Sequence, residues 1–274
     1  MTGTTDMAKE APTDRRFATT LARGMSVLRA FRPSDDGLSN QELSERTGLP
    51  KSTVSRLTFT LQTLGYLSHG HRHDRYRPGP ALLALGNVAS ASVSFVDTAT
   101  DIMQPLADET GTLVLIGVRD EQKILLTKTW RPHQASSIWL EVGHRIPLTH
   151  SSSGQAQLAA QSDREFAAYL ETYGDALEEA DVTVTGLRED AYSQLVARGF
   201  VIAGHGLRYA STVNAVSVPF RSHEFDEPVV FTCGATPEML SQERMEAEVG
   251  PKLQAAVRNL ERMTGKSPAL VQRG

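Results

Sequence analysis

The sequence predicts an α+β fold with a helical N-terminal part and an antiparallel sheet in the C-terminal part. Two patterns predict it. Between residues 19 and 64, apolar side chains recur at the spacing of amphipathic helices. After residue 111, short runs rich in Val, Ile and Phe alternate with helical segments, which is typical of a sheet with helices outside it. With 274 residues, of which 40% are hydrophobic, the chain is long enough for two cores.

Composition excludes several kinds of protein. Cys233 is the only cysteine, so an intramolecular disulfide and a CxxC-type zinc or redox site are both excluded. No run approaches the roughly 20 apolar residues of a membrane-spanning helix. Polar and charged residues also stand where the apolar stretch of a signal peptide would be. We therefore expect a cytoplasmic protein without a membrane partner.

Charge is divided unevenly along the chain. The net charge of −4 by itself disfavours a nucleic-acid partner. Between Asp14 and Arg77, however, eleven Lys and Arg stand against six Asp and Glu, whereas from Pro78 to Gly274 the counts are 16 and 24. A basic N-terminal quarter joined to an acidic remainder indicates that the first part contacts a polyanion and the rest does something else.

The N-terminal quarter begins with a tail and two predicted helices. Residues 1–16 lack hydrophobic periodicity, which predicts a disordered tail. A helix is predicted from Thr19 to Phe31, where apolar residues recur at helical spacing. Ser39 and Glu42 then form a capping box, so a second helix begins there, and Gly48 ends it.

A third helix, opened by Pro50, has the composition of a DNA recognition helix. Its apolar side packs on the preceding helices, and the result is a helix-turn-helix. The opposite side carries short or basic hydrogen-bond donors near the N-terminus, namely Lys51, Ser52, Thr53, Ser55 and Arg56. We expect Ser52, Thr53, Ser55 and Arg56 to contact base edges or fix the register, and Lys51 to contact a phosphate.

A basic β-ribbon follows the third helix. Tyr66-Leu67 and Tyr76 predict two short strands, and the turn SHGHRHDR between them contains Gly and basic residues. We expect Arg72 and Arg75 in this ribbon to neutralise DNA phosphates. A helix, a helix-turn-helix and a two-stranded ribbon, in this order, predict a winged helix-turn-helix over residues 17–79.

The remainder predicts a connecting helical segment and a mixed domain. Pro78-Gly79-Pro80 interrupts the chain, and helical signals, predicted as two helices, then last to Gly111. LVLIGVRD and KILLTKTW predict a β-hairpin, while AVSVPF and PVVFTCG predict further strands. A final amphipathic helix is predicted from about Pro237 to Met263.

These motifs together resemble a known family. LARGMSVLRAF, LSNQELSERTGLPKSTVSRLTFTLQTLGYL, DRYRPG, GHRIPLTHSSSGQAQLAA and RGF followed by NAVSVPF resemble the IclR-type transcriptional regulators from about residue 19 to the C-terminus. The resemblance implies a winged helix-turn-helix, a linker helix over residues 80–97 and a GAF-like effector-binding domain over residues 98–274. It also implies homodimers or tetramers formed as dimers of dimers.

The resemblance further implies a small-molecule effector pocket in the C-terminal domain. The residues implied to line it are Ser153, Gly154, Asn214, Phe231 and Cys233. Amides at a helix N-terminus favour oxygen acceptors, which makes a small organic acid a reasonable ligand. LARGMSVLRAF most resembles the subgroup that responds to aromatic acids such as 4-hydroxybenzoate or protocatechuate.

Two further positions bear on ligand choice. The family's usual acidic residue after RGF falls near His205, within the longer stretch AGHGLRYAST, which would change the ligand that is accepted. Trp139, together with Arg131, is expected either to form an aromatic lid with a cation or to anchor its loop at the surface.

Other functions remain open at this point. His69, His71 and His73 alternate and could hold a metal, or Cys233 could be oxidised, which would make the chain a metal- or redox-responsive regulator. A hydrolase would use His150, Ser151–Ser153 and Cys233, but the sequence has no G-x-S-x-G, H-E-x-x-H or P-loop spacing. We therefore expect a non-enzyme without metal or cofactor.

The preferred interpretation is a sequence-specific transcription regulator that is controlled by an effector. Dimer symmetry would require a palindromic operator in double-stranded DNA. Effector binding would shift the relative placement of the two DNA-binding domains through the linker helices.

Overall fold

A computed structural model describes residues 16–69, 74–135, 137–174 and 183–265. The chain divides into two compact units, Met1–Ser92 and Val93–Gly274. The predicted disordered tail lies outside the described residues except for its last position. The α+β fold class predicted from the sequence is confirmed, with helices in both units and an antiparallel sheet in the second.

The N-terminal unit is a helical core with a small antiparallel sheet. Its helices are α1 (Thr19–Arg29), α2 (Asn40–Thr47), α3 (Lys51–Thr63) and α4 (Pro80–Ala91). Its strands are β1 (Leu38–Ser39), β2 (Leu67–His69) and β3 (Arg75–Pro78), with β3 between the other two. The sequence predicted the ribbon of β2 and β3 but not the short strand β1. Val27, Leu43 and Val54 pack together at the centre.

The turn between α2 and α3 follows from local chemistry. The Ser39 hydroxyl accepts a hydrogen bond from the Glu42 amide, and the Glu42 carboxylate accepts one from the Ser39 amide, so the predicted capping box is present. Gly48 ends α2 in the left-handed region with φ 69°, a conformation that favours glycine. The chain therefore turns tightly between α2 and α3 without backbone strain.

The capping box predicts how the stability of the N-terminal unit depends on pH. Hydrogen bonds from the Ser39 amide and hydroxyl, and a weaker effect of Arg75, lower the pKa of Glu42 from 4.5 to about 2. Because the pKa of Glu42 is lower in the folded state, ionised Glu42 stabilises the fold at pH values above its unfolded-state pKa. This stabilisation is lost as the pH falls through about 2. Thermal unfolding measured from about pH 5 to pH 2 should show a shallower loss of stability in Glu42→Gln than in the parent chain. Identical pH profiles would contradict this expectation.

The connection between the units differs from the predicted linker helix over residues 80–97. Helix α4 ends at Ala91, and α5 (Phe95–Thr110) begins three residues after Ser92. Phe95 is fully buried in the C-terminal unit, where its ring lies 5.1 Å from that of Phe220. Burial of Phe95 ties the start of α5 to that core, and the second compact unit begins at Val93. The domain boundary at residue 98 stays a prediction.

Among the described residues, no single helix is long and apolar enough to cross a membrane. Helices α4 and α5 reach that length and hydropathy only as a pair.

The C-terminal unit is built on a six-stranded antiparallel sheet. Its strands are β4 (Leu113–Asp120), β5 (Lys123–Trp130), β6 (Arg145–Pro147), β7 (Val201–Ile202), β8 (Asn214–Phe220) and β9 (Val229–Ala235), in the order β6-β5-β4-β9-β8-β7. Its helices after α5 are α6 (Ser152–Ala159), α7 (Asp163–Tyr173), α8 (Val184–Arg198), α9 (Gln242–Arg244) and α10 (Gly250–Met263). A π-helical segment, Met245–Val249, joins α9 to α10.

The two faces of this sheet carry different cores. On one face, α5 and α10 cover an aromatic cluster that includes Phe95, Trp130 and Phe231. On the other face, α6 packs on β8 and β9 and also contacts α8. Leu115 and Ile124 belong to this second core. A cavity lies on the α6 side of the sheet.

Candidate functional site

Helix α3 presents its predicted DNA-contacting side chains to solvent. Val54 and Thr58 are fully buried against the rest of the N-terminal unit. The side chains on the exposed positions include Lys51, Ser52, Ser55 and Arg56, while Thr53 is half-buried. Alternation of buried and exposed positions at helical spacing thus leaves the donors free to enter a major groove.

The β-ribbon contains one predicted phosphate contact whose guanidinium is already engaged. The Arg75 Nη2 group donates to the Gly37 carbonyl at 2.9 Å and to the Glu42 carboxylate at 2.8 Å. These bonds join β3 to the start of α2, so Arg75 positions the ribbon, and its phosphate contact stays a prediction. Arg72 lies outside the described residues, as do His71 and His73.

The cavity in the C-terminal unit has apolar walls and a polar floor. Its volume is about 30 Å³, which is room for about two water molecules. The apolar lining residues are Leu115, Ile138, Leu140, Ile146, Ala203, Val213, Ala215 and Gly234. The polar lining residues are Ser151, Ser152, Ser153, Arg208, Tyr209 and Thr232.

The floor of the cavity is the N-terminus of α6. The Ser151 hydroxyl donates to the Pro147 carbonyl at 2.7 Å and accepts from the Gly154 amide at 3.1 Å. The next two amides, of Ser152 and Ser153, belong to the first helical turn and have no acceptor within the helix. Since all eight residues of α6 are buried, these amides lie in a low-dielectric setting that favours a negatively charged oxygen.

Buried hydroxyls connect the floor to the sheet. Ser153 Oγ lies 2.8 Å from Thr232 Oγ1, which lies 2.8 Å from Ser217 Oγ. Ser217 Oγ in turn lies 2.9 Å from Ser152 Oγ. We call these four residues the hydroxyl chain. It joins α6 to β8 and β9, and three of its members line the cavity.

Arg208 supplies a positive charge to the cavity lining. Its Nη1 group donates to Asn214 Oδ1 at 2.6 Å, and its Nη2 group donates to Gln242 Oε1 at 3.3 Å. Asn214 is buried and donates to the Leu240 carbonyl at 2.7 Å, so it fixes Arg208 rather than lining the cavity itself. These bonds leave other N–H groups of the guanidinium available to a ligand.

The loop that contains His205 contributes other residues to the cavity lining. It lies exposed in a short 3₁₀ turn, His205–Leu207, and the cavity lining contains Arg208 and Tyr209 instead. His205 is therefore not among the residues that line this cavity, and its contact with an effector stays a prediction. The sequence signal that points to Arg208 and Tyr209 is the presence of a basic and an aromatic residue in a lengthened loop.

Phe231 and Cys233 also lie away from the cavity. Both belong to the aromatic core on the opposite face of the sheet, whereas Thr232 and Gly234 line the cavity. Successive side chains on a strand point to opposite faces, so Phe231 and Cys233 face away from the cavity while Thr232 and Gly234 face it. Ser153 lines the cavity, whereas Gly154, the next residue of α6, does not. Effector binding by these residues stays a prediction.

Trp139 is anchored at the surface rather than closed over the cavity. Its side chain is 73% exposed, while its neighbours Ile138 and Leu140 line the cavity. Arg131 donates to the Ile138 carbonyl at 3.0 Å and to the Leu140 carbonyl at 2.7 Å. Arg131 therefore holds the loop that carries two walls of the cavity, which is the surface-anchoring alternative.

The catalytic and redox alternatives receive no geometric support. Burial raises the pKa of the Cys233 thiol to about 12, which disfavours the reactive thiolate. Cys233 and Ser151–Ser153 contribute to opposite faces of the sheet. Within the part of the chain that the structure describes, no three His, Cys, Asp or Glu residues form a metal-binding group.

A winged helix-turn-helix unit followed by a unit with a small-molecule cavity defines the class of ligand-binding transcription regulators. Residues 20–70 match the family model of the IclR helix-turn-helix domain. Residues 89–262 match the model of the bacterial transcriptional regulator IclR C-terminal domain. The chain belongs to the IclR family of DNA-binding transcription regulators, whose C-terminal domain binds a ligand.

Similar proteins agree with this assignment over nearly the whole chain. The HTH-type transcriptional regulator TsaQ1/TsaQ2 of Comamonas testosteroni is 29% identical, over 92% of this chain and 91% of its own length. A crystal structure of an IclR family regulator from Brucella abortus is 32% identical, with a TM-score of 0.75 and coverage of 94% and 96%. An IclR homolog from Microbacterium hydrocarbonoxydans, complexed with 4-hydroxybenzoate, shares the fold at 20% identity, with a TM-score of 0.66 and coverage of 89% and 99%.

Proposed function

We propose that this regulator binds a palindromic operator as a homodimer or a dimer of dimers and responds to a small carboxylic acid, of the aromatic class, in the C-terminal cavity. The observation that carries the proposal is the cavity itself. It combines two first-turn amides of α6, the hydroxyl chain and the Arg208 guanidinium with walls of Leu115, Ile138 and Leu140. The polar groups match a carboxylate in their chemistry, and the apolar walls match an aromatic ring once they move apart to admit it.

The DNA-binding part of the proposal rests on the exposed side chains of α3. Ser52, Thr53, Ser55 and Arg56 would contact base edges or fix the register, with Lys51 and Arg72 at phosphates. The excess of basic residues between Asp14 and Arg77 supports contact between this part of the chain and DNA. Exposed apolar side chains of the same unit support self-association, among them Leu21 and Met25 on α1 and Leu83 and Val88 on α4.

Replacing Arg56 by alanine tests the docking of α3. The purified chain would first select its preferred duplex from genomic DNA fragments at near-physiological salt, and a palindrome should be enriched. We expect Arg56→Ala to lose about 10- to 100-fold in affinity for that duplex and to relax the base preference at one position of each half-site. Arg262→Gln, an exposed change on α10, is the control and should bind like the parent. Unchanged affinity of Arg56→Ala would refute the docking.

Calorimetry with matched ligand pairs tests the effector half. Benzoate, 4-hydroxybenzoate and protocatechuate would be compared with benzamide and 4-hydroxybenzamide, which keep the ring and lose the charge. We expect at least one acid to bind more than about tenfold more tightly than its amide, because charged hydrogen bonds are stronger than neutral ones. The cavity must widen for any ring, since benzene occupies cavities of about 150 Å³. Equal binding of acids and amides, or binding only of short aliphatic acids, would contradict the aromatic-acid class.

The effector would act by changing how the two DNA-binding units of an oligomer fit their half-sites. A ligand shifts such an equilibrium only by its differential affinity for the two arrangements. The same duplex titrated with and without the tightest acid would therefore reveal the coupling as a change in DNA affinity.

A further inference from the structure

The exposed side of α3 changes character halfway along the helix. At 100° per residue, Ser52, Arg56, Phe59 and Thr63 fall on one line, opposite the buried Val54. The first half of this line is polar. The second half begins with Phe59, whose side chain is 69% exposed.

Two threonines make the second half more apolar than their residue type implies. The Thr60 hydroxyl donates to the Arg56 carbonyl at 3.0 Å, and the Thr63 hydroxyl donates to the Phe59 carbonyl at 2.9 Å. Since each hydroxyl hydrogen is used within the helix, neither hydroxyl is left to donate to a partner outside it. The exposed residues Phe59, Thr60 and Thr63 therefore offer a ring and two methyl groups but no free donor, on a helix whose start is polar.

In the major groove, the base edges carry one apolar group, the C5-methyl of thymine. We propose that Phe59, supported by the methyl groups of Thr60 and Thr63, recognises a thymine methyl group in each operator half-site. The proposal rests on the docking of α3 in the major groove. Phe59 is three residues after Arg56, a rise of about 4.5 Å along the helix, which compares with about 3.4 Å per base step. The thymine should thus lie one or two base pairs from the base that Arg56 contacts.

Removing the methyl group alone tests the contact. Deoxyuridine keeps the pairing and the O4 acceptor of thymidine but lacks the C5-methyl. In the duplex selected from genomic DNA, each thymidine of a half-site would be replaced in turn by deoxyuridine. We expect one or two of these replacements to weaken binding about three- to tenfold, the effect of removing one buried methyl group.

Variants of Phe59, measured on the same two duplexes, test the contact from the protein side. Phe59→Ala should bind the thymine duplex about as weakly as the parent binds the deoxyuridine duplex, and it should no longer distinguish the two. Phe59→Leu keeps an apolar contact and should retain most of the discrimination. Phe17→Ala removes another exposed phenylalanine of the same unit and should leave the ratio between the two duplexes unchanged. Because Phe59 is exposed, all variants should keep the parent's thermal unfolding profile.

The outcomes separate this inference from the docking model. If Arg56→Ala weakens binding but no deoxyuridine replacement does, or if Phe59→Ala still distinguishes the duplexes, the thymine contact is wrong and the docking stands. A selected half-site without thymine beside the Arg56 base would also overturn it. If Arg56→Ala leaves affinity unchanged, both the docking and the thymine contact fall.

Discussion

Gly154→Ala is expected to destabilise the C-terminal unit by about 3 kcal/mol or more. A Cβ at this position would lie within 2.5 Å of the carbonyl oxygen, carbonyl carbon and Cα of Leu148. These are backbone atoms of the segment that enters α6, so no side-chain rotation can relieve the overlap. Thermal or urea unfolding of the full chain, followed by near-ultraviolet circular dichroism, measures the effect.

A second glycine of the same unit provides the matched control. A Cβ at Gly206 would have no atom within 4 Å, and Gly206 is exposed. We expect Gly206→Ala to change the free energy of unfolding by less than about 1 kcal/mol. If Gly154→Ala were equally mild, α6 could move away from Leu148 at little cost, and close packing at Gly154 would not hold the floor of the cavity in place.

Arg208→Gln is expected to weaken binding of the carboxylic acid about 10- to 100-fold without changing DNA binding in its absence. The cause is the loss of a charged hydrogen-bond donor from a lining whose other residues are all uncharged. Isothermal titration with the tightest acid of the panel measures it. The corresponding amide should lose much less affinity, because it carries no charge for Arg208 to neutralise.

Two comparisons make the Arg208 result specific. Arg208→Lys keeps the charge but loses the planar fork, so its affinity should fall between that of the parent and that of Arg208→Gln. Arg262→Gln removes an exposed charge on α10 and should bind the acid like the parent. An acid affinity that is the same in Arg208→Gln and the parent would exclude Arg208 from the site.

Local features of the fold were predictable from the sequence because their causes are local. The capping box at Ser39 and Glu42, the glycine at position 48 and the two strands of the ribbon depend on residues within a few positions of one another. Helix α3 likewise follows from the spacing of its own apolar and polar residues. Each of these elements can be predicted without knowing which segments pack against it.

The cavity was only partly predictable, because its lining depends on packing between distant segments. Which face of β9 turns to α6 decides between Thr232 and its neighbours, and that choice is made by the register with β8. In the loop before β6, Ile138 and Leu140 line the cavity while Trp139 between them is exposed. Arg208 enters the lining through a 3₁₀ turn that no periodic pattern announces. Of the five residues that the family resemblance implies, Ser153, at a helix start with its own cap, is the one that lines this cavity.

The hydroxyl chain limits how many protons the floor of the cavity can offer. Ser152, Ser217, Thr232 and Ser153 carry one hydroxyl hydrogen each, and the three links between them use three of these. One hydrogen is left over, and rotating the hydroxyls in concert moves it along the chain, so that any one of the three hydroxyls that line the cavity can present it to a ligand. A bound oxygen would select its donor, and the other hydroxyls would then donate along the chain. The hydroxyls therefore supply one mobile donor beside the fixed amides of Ser152 and Ser153, and the floor can adjust to ligands whose polar atoms lie in slightly different places.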